Sequence, residues 1–267
     1  MQSGYLPPRD GVRLAYVDFG GVGPSVLLLH GLYGRATTWS RVARWLTPHF
    51  HVVALDQRGH GQSDKPDNAY QRQFFVDDAR FAIDQLGLGN TIIIGHSMGA
   101  LNGWVLAAQH PELVTGLVLE DMSAGATHSG SAAETETWLR QWPVPFGSLA
   151  DVREYFGAIR PGLADYFIEV MAETEDGYRP LFRSEHMIQA AAGIFGRDWW
   201  TELDRVTCPT LVVKGALSDS PRADLQEMSR RLAQGTYVEI EGACHTVSFD
   251  QPAGYRQAVE PFLRSLK

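Results

Sequence analysis

Short, nearly continuous runs of aliphatic and β-branched residues recur along this chain, and segments with helical spacing separate them. Val26–Leu29, Val52–Leu55, Ile92–Ile94, Leu117–Leu119 and Leu211–Val213 are such runs, and Tyr237–Ile240 reads as a last member of the set. Runs without alternation suit strands covered on both faces, as in a parallel sheet between helices. Val12–Phe19 alternates instead, as a half-buried strand should. Helical patterns fill the intervals: Thr38–Leu46 ends before Pro48, Phe74–Leu86 at Gly87, and Ser97–Gln109 at His110-Pro111. Ser220-Pro221 places a cap residue before a proline, and Asp250-Gln251-Pro252 opens in a similar way; the two helices run toward Leu232 and Leu266. The expected class is α/β.

The alternation breaks between about Met122 and Trp200, where no buried strand is legible over a span too long for a loop. A small, polar opening from Ser123 to Ala133 is followed by helix-like pieces around Trp138, Tyr155, Tyr166 and Met187. Twelve of the chain's 28 aromatic residues fall in these 79 positions, more than their share, so the segment reads as a helical insertion lying over the sheet. The resulting division is a core in two parts, 1–121 and 203–267, with an insertion at 122–202.

A chain of 267 residues buries roughly three-quarters of its unfolded surface and needs no disulfide or metal staple. Its net charge of −8 lacks the basic footprint of a nucleic-acid binder or of a partner of anionic membranes. Two cysteines, Cys208 and Cys244, make no disulfide framework and suit a reducing, cytoplasmic setting. The first residues have neither the basic start nor the apolar stretch of a secretory signal, and no apolar run approaches the roughly 20 residues of a membrane span.

The most informative segment is Ile92-Ile-Ile-Gly-His-Ser97-Met-Gly-Ala100, a Gly-x-Ser-x-Gly directly after a buried strand and directly before a helix. In that context the chain turns too sharply for side chains at the flanking positions, and the turn exposes a serine hydroxyl at a helix amino terminus. The chain here resembles the α/β-hydrolase superfamily, in particular its lid-bearing, esterase-like members, over about residues 4–121 and 203–267. Three further motifs carry the resemblance: Leu29-His-Gly-Leu32, Asp56-Gln-Arg-Gly-His-Gly-Gln-Ser-Asp64 and Gly242-Ala-Cys-His245. It implies an eight-stranded, mostly parallel sheet flanked by helices, with a helical lid insertion.

A serine hydroxyl needs a base within hydrogen-bond reach. Of nine histidines, His245 is the candidate, in a loop at the carboxyl end of the last strand, where the family places its catalytic histidine. His96 should be turned away by the elbow and pack; His30 and His60 belong to family loop motifs and read as structural hydrogen-bonders. His49, His51, His110, His128 and His186 read as surface or loop residues. The base needs a carboxylate to fix its tautomer. The resemblance favours Asp219, after the strand at Leu211–Val213, with Asp121, after the strand at Leu117–Leu119, as the alternative. For the oxyanion, the backbone N–H of Met98 follows the nucleophile, and the resemblance supplies that of Leu32. No His-Glu-x-x-His or Cys-x-x-Cys is present, so no metal site is expected, and the serine-hydrolase reading calls for no organic cofactor.

Serine at the elbow sets the chain apart from relatives that open epoxides or displace halides, which carry aspartate there. Hydroxynitrile lyases, cofactor-free haloperoxidases or perhydrolases, and carbon–carbon bond hydrolases keep serine and stay open. A slow-turnover receptor on the same fold is the alternative of another class. Between 122 and 200 there are eleven Asp and Glu against six Arg and no Lys. Apolar lining under an acidic exterior suits a small, mainly apolar ester or lactone better than a coenzyme A thioester, unless Arg179 or Arg183 acts locally. Trp138, Trp142 and Tyr166 are the candidate pocket residues. The expected partner is therefore a small-molecule ester, and oligomeric state is left open.

Overall fold

The computed structural model describes residues 1–126 and 130–266. The first core part contains β1 (Gln2–Tyr5), β2 (Ala15–Gly20), β3 (Ser25–Leu29), α1 (Ser40–Leu46), β4 (His51–Leu55), α2 (Arg72–Gln85), β5 (Thr91–His96), α3 (Met98–Gln109) and β6 (Val114–Glu120). The inserted segment follows, with α4 (Ala132–Arg140), α5 (Leu149–Ile159), α6 (Pro161–Ile168), β7 (Met171–Thr174), β8 (Gly177–Pro180) and α7 (Ser184–Ala192). The chain then returns through α8 (Trp200–Leu203), β9 (Thr210–Gly215), α9 (Arg222–Arg231), β10 (Gly235–Ile240), α10 (Val247–Asp250) and α11 (Pro252–Ser265).

Eight strands form one sheet in the order β1-β2-β4-β3-β5-β6-β9-β10. Pairings from β4 across to β10 are parallel, while β2 runs antiparallel to both β1 and β4. The expected class therefore holds. Alternate residues of one strand serve opposite faces. Leu27, Leu29, Ile93, Leu117 and Leu119 join the apolar layer under α2 and α3, which continues into the insertion at Trp142, Phe156 and Met187. Val26, Leu28, Ile92, Ile94 and Val118 face the layer of α1 and α11.

Strand order reverses between β3 and β5: from β3 the chain moves to β4 on one side, then returns to β5 on the other. Ligand crevices in open α/β sheets form at such a point, beyond the carboxyl ends of the strands. Leu29 lies level with Gly95, and His96 with Glu120, so the loops that follow these strands share one rim.

Three local expectations need correction. A β7–β8 hairpin interrupts the insertion; its four-residue strands, joined across Glu175-Asp176, are too short and too exposed to carry an apolar run. His186 is not a surface residue: it is buried on α7 and stacks on Tyr70 with ring centroids 4.9 Å apart. Ser220 does not cap α9, whose N-cap is Pro221. His128 lies outside the described residues.

A buried ion pair holds the loop after β4 against α2. Arg58 Nε and Nη2 donate to the two oxygens of Asp78 at 2.6 and 2.8 Å, and Arg9 adds a third bond at 3.1 Å. Removing one partner strands a buried charge, which typically costs about 3–5 kcal/mol. Asp78→Ala is expected to lose stability of that order in urea titrations.

Candidate active site

The nucleophile turn is built by close approach. A Cβ on Gly99 would lie 2.1 Å from the Leu29 carbonyl oxygen, and one on Gly95 would lie 2.4 Å from Gly99, so both positions exclude a side chain. Ser97 between them takes φ +50° and ψ −117°, an unfavourable conformation for a residue with a side chain. The surroundings hold it: the Ser97 N–H donates to Glu120 O at 2.8 Å, and the Ser97 carbonyl accepts from Ala100 and Leu101. Met98 opens α3, and the first N–H groups of a helix have no intrahelical acceptor. The other expected donor loop is fixed from below. His60 Nε2 binds the Leu32 carbonyl, and Gln57 joins His30 through a bond from its N–H to His30 Nε2 at 3.0 Å and one from its Nε2 to His30 O at 2.7 Å. His30 and His60 are thus structural hydrogen-bonders.

The carboxylate that meets His245 is Asp121, and the preference for Asp219 is corrected. Asp121 Oδ2 lies 2.7 Å from His245 Nδ1, so the neutral ring donates from Nδ1 and keeps Nε2 free as a base. Asp121 immediately follows β6, next to the nucleophile strand, with φ +52°. Asp219 is exposed in the loop after β9. That loop still contributes: Gly215 N–H donates to Asp121 Oδ1 at 3.0 Å, while Ser218 Oγ and Ser220 Oγ donate to Oδ2. Burial pushes the Asp121 carboxyl upward, but the His245 bond and charge and the Ser218 and Gly215 donors outweigh it and hold the group below its ordinary value.

His96 corrects a second expectation. It is buried but not turned away from the site: its Nε2 donates to the His245 carbonyl at 2.9 Å, and the two imidazoles lie 4.9 Å apart. Burial first, then the neighbouring His245, lowers its pKa to about 3, so it stays neutral and does not compete for the proton.

Two lobes of space meet at Ser97 and His245. One cavity of about 290 Å³ is mainly apolar, with Leu32, Tyr33, Trp138, Leu163, Tyr166, Phe167 and Ile194 among its walls, and Glu134, Thr135 and Arg160 among its polar lining. Of the three aromatic residues singled out from the sequence, Trp138 and Tyr166 line this cavity. Trp142 does not: it is buried behind Trp138, packed at 4.8 Å from Phe156 and 5.0 Å from Phe167. The second cavity, about 490 Å³, is more polar and takes in Ser123, Arg160, Ser218, Asp219, Ser220 and Cys244. Arg179 and Arg183 pair with Asp176 and Asp67 and line neither lobe. Sequence reading missed Arg160 because a cation between two short helices carries no pattern of its own.

Among the described residues, no group of three or more His, Cys, Asp or Glu is placed to hold a metal ion. Nor is any of their helices long and apolar enough to cross a membrane. Both cysteines are free thiols.

A family model described as alpha/beta hydrolase fold matches residues 24–252. The chain is 31% identical over 249 residues to the 2-(acetamidomethylene)succinate hydrolase of Mesorhizobium japonicum, covering 91% of this chain and 89% of that protein. It is 27% identical over 269 residues to the (E)-2-((N-methylformamido)methylene)succinate hydrolase of Acinetobacter baylyi, covering 95% of each. A crystal structure of E-2-(acetamidomethylene)succinate hydrolase superposes with a TM-score of 0.85 at 28% identity, over 98% of this chain and 100% of the other.

Glu120, beside Asp121, behaves oppositely. It is fully buried, and burial raises its pKa from 4.5 to about 8, although Ser248 donates to it from both N–H and Oγ. Between those values the unfolded state binds fewer protons than the folded one, so this group makes stability fall as pH rises. Glu120→Gln is expected to flatten that fall by up to about 1.4 kcal/mol per pH unit, read from urea titrations at about pH 5 and about pH 8.

Proposed function

The chain belongs to the alpha/beta hydrolase fold family and is a hydrolase of that fold, and on that premise we propose that it cleaves a small, mainly apolar carboxylic ester or lactone through an acyl-serine intermediate. The observation that carries this reading is the 2.7 Å bond from His245 to Asp121 at the edge of an apolar cavity that also reaches Ser97.

Each group has one task in the sequence of steps. His245 Nε2 takes the proton of Ser97 Oγ as the oxygen attacks the substrate carbonyl. The tetrahedral oxyanion is met by the N–H groups of Met98 and Leu32, already oriented before the charge develops. Asp121 stabilises the imidazolium without taking its proton. His245 then returns the proton to the departing oxygen, and water repeats the sequence on the acyl-serine. The apolar lobe takes the acyl chain and the polar lobe takes the leaving group. The inserted helices act as the lid that sets chain length.

The two relatives are named for hydrolysis of N-acylated enamine succinates, and an amide-like acyl group suits the same machinery. That is the second reading. Initial rates on p-nitrophenyl esters of graded chain length, set beside an N-acyl enamine, separate the two: short and medium esters should turn over with a chain-length optimum. An absence of ester turnover with cleavage of the enamine would replace the first reading by the second.

Ser97→Ala should remove the acylation burst while leaving the circular dichroism spectrum unchanged. Asp121→Asn should cost on the order of 10⁴ in kcat, as loss of the orienting carboxylate does in other serine hydrolases. Asp219→Asn should stay near wild type; the reverse ranking would reassign the acid. Trp138→Ala is expected to move the chain-length optimum, since each buried methylene contributes about 0.8 kcal/mol. Trp142→Ala should instead lose about 3–5 kcal/mol of stability.

A further inference from the structure

The inserted segment carries six arginines, and five of them have a carboxylate partner. Arg140 pairs with Glu136, Arg153 with Asp165, Arg179 with Asp176, Arg183 with Asp67 and Arg197 with Glu202. Arg160 alone has no carboxylate within ion-pair distance among the described residues, in a segment where acidic groups outnumber basic ones almost two to one. It is half-buried and lines both lobes beside Ser97 and His245.

Its backbone is extended, φ −169° and ψ 133°, and closes α5 while opening α6, so two packed helices fix where the side chain starts. Its charge is felt at the floor of the site, where it helps keep His96 neutral. A guanidinium offers a planar fork of donors that fits a carboxylate.

We propose that Arg160 is the specificity residue of this site and reads a single carboxylate on the substrate, close to the bond that is cleaved. The inference rests on the serine-hydrolase reading above and narrows its substrate to a monoanion with an apolar remainder. A second carboxylate is disfavoured by placement: Glu134 borders the apolar lobe, Asp219 borders the polar one, and among the described residues Arg160 is the one lysine or arginine that lines either. Like charges without an intervening cation repel.

The test compares p-nitrophenyl hemisuccinate with its neutral isostere, p-nitrophenyl isocaproate, after subtraction of the uncatalysed rates. Wild type should favour the hemisuccinate in kcat/KM. Arg160→Gln should lower kcat/KM for the hemisuccinate by about ten- to a hundredfold, the range for hydrogen bonds to charged groups, with isocaproate within about threefold. Arg160→Lys should restore part of the preference, and the doubly charged tricarballylate monoester should be a poorer substrate than the hemisuccinate. Equal loss on the charged and neutral esters in Arg160→Gln, or no preference in wild type, would overturn the assignment.

If wild type hydrolyses neither ester, the ester reading fails by itself, and Arg160 is judged by binding. Quenching of tryptophan fluorescence by butyrate, set against butyramide, should then show a carboxylate preference that Arg160→Gln abolishes. Equal binding of the two in wild type, or a preference that survives in the variant, would overturn the assignment here as well.

Discussion

The first turn of α3 lies so close to the end of β3 that no side chain fits between them, and the geometry of the site depends on that contact. It forces the sharp turn at Ser97, aims the amino terminus of α3 at the space above the sheet, and brings the Leu32 loop alongside. The unfavourable backbone at Ser97 persists because its N–H is anchored to β6 and its carbonyl to α3. Asp121, at the end of that same β6, is the second positively twisted residue of the site. Positive φ at Ser97 and at Asp121, each directly after one of two neighbouring strands, thus fixes where the two side chains start.

Consecutive residues at the end of β6 occupy opposite electrostatic environments. Asp121 turns toward His245 and a group of donors, while Glu120 turns into the core toward Ser248. One carboxyl is held ionised and the other protonated, although both are completely buried. The difference lies in the number and charge of the donors each meets and not in depth. Glu120 also links β6 to the start of α10, only three residues beyond His245, so the neutral carboxyl supports the loop on which the base is carried.

The fold class was legible because its strands are apolar runs covered on both faces, whereas the order of those strands in the sheet came only with the structure. Ser97 and His245 stood out in the sequence on other grounds: each sits in a short motif at a strand end. Asp121 and Asp219 both follow strands, and sequence spacing alone does not say which side chain turns inward. The deciding facts are three-dimensional, namely the left-handed backbone at Asp121 and the donors that Ser218 and Ser220 send to it. Trp138 and Trp142 are equally aromatic, yet one walls the cavity and the other packs behind it. Arg160 had no local signature, since its significance comes from the partners it lacks.

The hydrogen bonds from the β9 side to Asp121 involve only some of the residues there. Asp121 takes one N–H from Gly215, the last residue of β9, and two hydroxyls from Ser218 and Ser220 in the loop that follows, while Leu217 and Asp219 of that loop are exposed and line the polar lobe. Changes at those two positions leave the charge pair untouched. Size and charge at the polar lobe can therefore be altered at these two positions while the donors from Ser218 and Ser220 to Asp121 stay in place.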